Sequence, residues 1–132
     1  MNKQQKIENF EPSQPGLADA TVFGLPFTAQ ESEIIIIPVP WEVTVSYGAG
    51  TSEGPAAIFD ASFQVDLLHQ DFPELWKLGI YMDDAPEDWA KNSEKYKNLA
   101  QPIIEALENG EDVETFPALH EDLHKINNAC RT

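Results

Sequence analysis

The run Ile34-Ile35-Ile36-Ile37-Pro38-Val39 decides the fold class. Five β-branched residues interrupted by a single proline show no alternation of apolar and polar positions, the pattern of a strand buried on both faces in a parallel sheet covered by helices. A loop from Pro40 to Glu53 follows, with Gly48, Gly50, Thr44, Ser46 and Thr51 suited to irregular backbone. Gly54-Pro55 then opens a helix, because proline at the first helical position gives up no hydrogen bond, and Ala56, Ala57, Ile58, Ala61 and Phe63 form its apolar face. Strand, glycine loop and helix in that order are the start of an α/β unit.

Outward from this core, Val65 to Leu68 reads as a short strand and Trp76 to Tyr81 as a better one, ended by Asp83-Asp84. From Ser93, taken as an N-cap, Tyr96, Leu99, Ala100, Ile103, Ile104 and Leu107 recur three and four apart and predict an amphipathic helix. Pro102 is expected to kink or divide it, and Gly110 to stop it. Leu119, Leu123, Ile126 and Cys130 mark a second stripe after Pro117, and no stop signal follows in Arg131 and Thr132, so the sequence is expected to break off inside an element. Residues 1–16 are polar, carry Pro12 and Pro15, and read as a flexible or extended N-terminal arm, leaving 17–132 as one α/β domain.

The chain has 132 residues, 42% of them hydrophobic, which is a globular composition. Eight Lys and Arg against 23 Asp and Glu give a formal charge of -15. That charge repels phosphate backbones and anionic lipid, so neither nucleic acid nor membrane is an expected partner. The lone Cys130 has no internal disulfide partner and the start is polar, which predicts a reducing, cytoplasmic setting.

Four groups of residues invite a chemical reading. Gly48, Gly50 and Gly54 lie between strand and helix, where backbone N–H groups cradle anions, but their spacing is one residue too wide for a dinucleotide fingerprint and no Gly-Lys-Ser/Thr follows. His120-Glu121-Asp122-Leu123-His124 matches the bare zinc-protease pattern, yet no His, Asp or Glu follows His124 as a third ligand, and a solvated helix face explains it better. Asp83-Asp84 sits where α/β sites collect, although Asp is equally a turn former. Trp41, Trp76 and Trp89 read as packing residues, and Cys130 as a small buried hydrophobe without a base to activate it.

Taken together, Pro38-Val39-Pro40-Trp41-Glu42, then Ser46-Tyr47-Gly48-Ala49-Gly50-Thr51, then Gly54-Pro55-Ala56-Ala57-Ile58 and Ala61-Ser62, resemble the entry to the arginase/agmatinase (ureohydrolase) fold. The resemblance implies the N-terminal portion of a three-layer α/β/α arginase-like fold with a mainly parallel sheet. It also implies an agmatinase-like hydrolase that releases urea from a small cationic guanidino substrate with a binuclear Mn2+ centre, homo-oligomeric when complete. The family takes its metal ligands from Gly-Gly-Asp-His, Asp-Ala-His-x-Asp and Ser-x-Asp-x-Asp motifs, none of which occurs here, so this chain alone is expected to hold no metal and to be inactive. Gly48 and Ser52 stand where many members place arginines, which leaves the substrate open. Trp41, Ser46 and Thr51 are carried over as residues bordering the substrate entrance. The alternative is a short non-catalytic binding or regulatory relative of the same fold. Half of a wound sheet would also leave a strand edge and an apolar face uncovered.

Overall fold

The computed structural model describes residues 1–14, 20–45 and 48–131. They form two compact units, one from Met1–Val39 with Glu53–Ala85, the other from Pro40–Ser52 with Pro86–Thr132, where the sequence led us to expect one domain. Helix and strand are mixed, and the two strands are parallel, so the α/β expectation holds at that level.

In the first unit, β1 (Ile34–Ile36) pairs with β2 (Ile80–Met82) in the register Ile34 to Ile80, Ile35 to Tyr81 and Ile36 to Met82. Parallel neighbours need a long crossover, and here the connection includes α2 (Gly54–Ser62), which begins with proline in its first turn as expected. Gly79 sets the entry to β2. Its φ is +76°, and a Cβ there would lie 3.0 Å from Ser32 Cα and 3.1 Å from Glu31 O, a backbone approach that only glycine allows. Two expectations fail in this unit. Residues 65–68 are not a strand, and the segment from Leu75 to Leu78 is a 3-10 turn, so the second strand starts only at Ile80.

The burial expected of the isoleucine run also fails. Ile34 and Ile35 are 41% and 42% exposed, and Ile37 and Val39 are 69% and 53% exposed. The core lies elsewhere, in Leu25, Phe27 and Trp76, with Ile7, Phe10 and Ile80 packed against it. Phe10 and Phe27 flank Trp76 at ring-centroid distances of 5.1 and 6.4 Å. Residues 1–16 were read as flexible or extended, but Lys3–Asn9 is a helix, α1, closed by a reciprocal capping box of Asn2 and Gln5. Ile7 and Phe10 hold it to the core, and Lys6 pairs with Glu31 at 2.6 Å.

The second unit is built on α3 (Glu87–Glu108) and α4 (Pro117–Ala129). Ala100, Ile103 and Ala106 of α3 meet Ile126 of α4, with Val113 and Val43 completing the core and Tyr96, Leu99, Leu119 and Leu123 at its margin. Both predicted stripes therefore pack inward except at their last residues, Leu107 and Cys130, which are exposed. α3 starts six residues before Ser93 and runs unbroken through Pro102, which is exposed. Gly110 ends it as expected, at φ +75°, with Glu111 N donating to Ala106 O at 2.9 Å in a Schellman closure. Cys130 caps α4 and is exposed, against the expectation of a buried thiol. Among the described residues no helix is long and apolar enough to cross a membrane.

Candidate functional site

Residues 41–45 and Thr51, with the facing sides of α3 and α4, enclose a cleft of about 520 Å³ in the second unit. Its walls are apolar, from Val43 and Val45 on the segment and from Ile103, Leu107 and Leu123 on the helices, while Glu42 and Thr51 supply polar edges.

Glu42 organises this segment. The residue is 4% exposed, and a buried carboxylate is tolerable only when paired and hydrogen-bonded. Its Oε1 takes an ion pair from Lys97 of α3, and its Oε2 accepts the backbone N–H groups of Gly50 at 2.7 Å and Ser52 at 3.4 Å. Gly50 has φ +127° and Gly48 φ +66°, conformations that let the chain fold back over the carboxylate. On the other side of Glu42, the Ser93 hydroxyl accepts from its backbone N at 2.7 Å and donates to its backbone O at 3.0 Å. The hydroxyl read as a helix cap is thus a tie between α3 and the segment.

The Lys97 ammonium, followed by the Gly50 N–H, holds the Glu42 carboxyl at about 2, well below its ordinary 4.5, and outweighs the opposing effect of desolvation. Both carboxylate oxygens are engaged, so Glu42 fixes the cleft's shape and is not free to receive a cationic ligand. Sequence reasoning did not single it out. The signal was present as an acid inside an otherwise apolar stretch, Trp41-Glu42-Val43.

Of the three residues carried over as substrate contacts, Trp41 and Thr51 both line this cleft, and Trp41 packs on Tyr96 with ring centroids 6.1 Å apart. Ser46 lies outside the described residues. Asp83-Asp84, in the first unit, lie in the irregular stretch after β2, where Asp84 N donates to Asp83 Oδ1 at 2.9 Å. His120 and His124 stand together on α4, but Glu121, the would-be general base of a protease, is paired with Lys125 at 3.0 Å. Among the described residues no group of three or more His, Cys, Asp or Glu side chains is placed to hold a metal ion. Comparisons with protein-family models, curated proteins and solved structures gave no match to the chain.

Proposed function

We propose that this chain is the N-terminal scaffold of a manganese-dependent, agmatinase-like ureohydrolase, with the three-layer α/β/α fold of that family in the complete protein. The observation that carries the reading is local. A parallel strand pair is joined through a glycine-bearing segment and a Gly-Pro helix, in the order the family resemblance requires. The uncovered Ile34, Ile35 and Ile37 support it further, because a strand so apolar is suited to a sheet with both faces covered.

A binuclear Mn2+ centre does not fit the described residues, which offer no cluster of carboxylates and imidazoles, so no step of hydrolysis is derived from them. In this reading their contribution is architectural. Glu42 and Lys97 shape the segment that carries Trp41 and Thr51, and the guanidino substrate would meet that segment at the site's entrance.

The coding sequence beyond Thr132 gives a direct test: an in-frame Gly-Gly-Asp-His motif soon after it is expected, and a stop codon would overturn the reading. Urea release from agmatine or arginine is expected only from a chain that contains the three ligand motifs. Manganese-dependent release by the 132 residues alone would overturn the assignment of these residues to scaffold. The second reading, a non-catalytic binding relative, draws on the same exposed isoleucines and is the one a stop codon would favour.

A further inference from the structure

On α4, one turn apart, the Nε2 atoms of His120 and His124 face each other at 3.0 Å, with the rings at 85° and their centroids 4.5 Å apart. We propose that this pair is a two-point binding site for a late first-row divalent cation, copper(II) above nickel(II) and zinc(II), held through both Nε2 atoms.

The separation carries the choice of metal. At a metal–nitrogen distance of about 2.0–2.1 Å, two donors 3.0 Å apart subtend about 95° at the ion. That is the cis angle of square-planar and octahedral centres, preferred by copper(II) and nickel(II). A tetrahedral zinc site would need the two nitrogens about 3.3 Å apart. Imidazole is a suitable donor for all three ions, and the ordinary affinity order places copper(II) first.

The protonation pattern is compatible with binding. In the metal-free pair one Nε2 carries the shared proton and the other accepts it. The Nδ1 of His120 is buried and has no hydrogen-bond partner, so nothing on that side of the ring fixes the tautomer. A cation at the pair takes both Nε2 lone pairs, so the ring that carried its proton on Nε2 gives it up to solvent and takes one back at Nδ1; each ring ends protonated at Nδ1, with no net release of protons.

The neighbouring acids are otherwise engaged. Lys125 pairs with Glu121 and Asp122, each at 3.0 Å, and with no third ligand cluster among the described residues the remaining coordination positions fall to water. The site therefore binds a cation across one helical turn and provides no general base for hydrolysis. It stands independently of the ureohydrolase reading, since neither histidine belongs to the segment that carries the family resemblance.

Calorimetric titration of the full chain with Cu2+, Ni2+ and Zn2+ tests the proposal, with His69→Ala as the control for an unrelated imidazole. The expected result is one tight Cu2+ per chain, weakened on the order of tenfold or more by His124→Ala and by His120→Ala, because each removes one arm of a chelate. His69→Ala should leave it unchanged. His124 is exposed, so its removal spares the packing and decides the matter even if His120→Ala perturbs α4. Equal Cu2+ affinity in the native chain and His124→Ala would overturn the site, and Zn2+ binding more tightly than Cu2+ would overturn its cis geometry.

Discussion

The two units of this chain treat their most apolar segments in opposite ways. In the second, the residues that recur at helical spacing on α3 and α4 supply the core, with Ala100, Ile103, Ala106 and Ile126 all buried. In the first, the most hydrophobic run of the sequence, Ile34 to Ile37, forms β1 and the residue that follows it and is largely uncovered, and the core comes from Leu25, Phe27 and Trp76 in irregular or 3-10 segments. A helix pair can bury its stripes within some forty residues. A two-stranded sheet has no third layer to offer its β-branched side chains, and hydrophobicity then marks a surface suited to being covered.

The comparison is broken most severely at the aromatic centre of the first unit. Trp76 is 5% exposed and meets both Phe10 and Phe27, so Trp76→Ala is expected to cost about 3–5 kcal/mol, read from urea unfolding. Ile103→Ala, at the α3–α4 contact, should cost about 2–4 kcal/mol by the same measurement. A cost for Ile103→Ala well above that of Trp76→Ala would show that the helix pair, and not the aromatic cluster, dominates stability.

The same contrast explains what could be read from the sequence. Spacings of three and four from Tyr96 to Ile104 and from Leu119 to Ile126 report a face directly, and the structure packs those residues in or against the core, whereas Leu107 at the end of the first stripe is exposed. Gly54-Pro55 and Gly110 are local signals with local causes, and both mark a helix boundary. Ser93 misled because a serine at a plausible cap also suits a helix interior when a distant partner, here the Glu42 backbone, takes its hydroxyl. The isoleucine run gave the strand but not its environment, which depends on what packs against it. Of the candidate site, Trp41 and Thr51 were placed on the loop that borders the cleft, whereas the burial and pairing of Glu42 are tertiary facts.

Pro102 sharpens the picture of the second unit. It lies exposed inside an unbroken α3, where proline forfeits a backbone hydrogen bond and crowds the preceding turn. Pro102→Ala should therefore raise stability by about 1–3 kcal/mol, seen as a higher urea midpoint. A lower midpoint would mean that the proline's shape is used in packing.

Each unit also carries one carboxylate held at about 2, below its ordinary 4.5: Glu42 mainly by Lys97, and Glu31 mainly by Lys6. A carboxyl depressed in the folded state stabilises it fully above the ordinary value, and that contribution is lost as pH falls from about 4.5 toward 2. Acid titration of stability should show a slope in this window. Glu42→Gln and Glu31→Gln should each flatten part of it, and the double variant should be flattest. An unchanged acid slope in both single variants would refute the pairings as its source.

The smallest effect on stability is expected where hydrophobicity is greatest. Ile37 is 69% exposed, so Ile37→Lys removes no core contact and should change the unfolding free energy by no more than about 0.5 kcal/mol. Its consequence belongs to association. An exposed apolar strand edge is a template for pairing with another chain, and a lysine directly after that strand opposes its extension. Sedimentation of the native chain at rising concentration should therefore show self-association that Ile37→Lys reduces, whereas a change at an exposed apolar residue of the second unit, Leu107→Lys at 58% exposure, should reduce it less. If Ile37→Lys instead destabilised the fold by several kcal/mol, the isoleucine run would be part of the chain's own core, and the contrast between the two units would collapse.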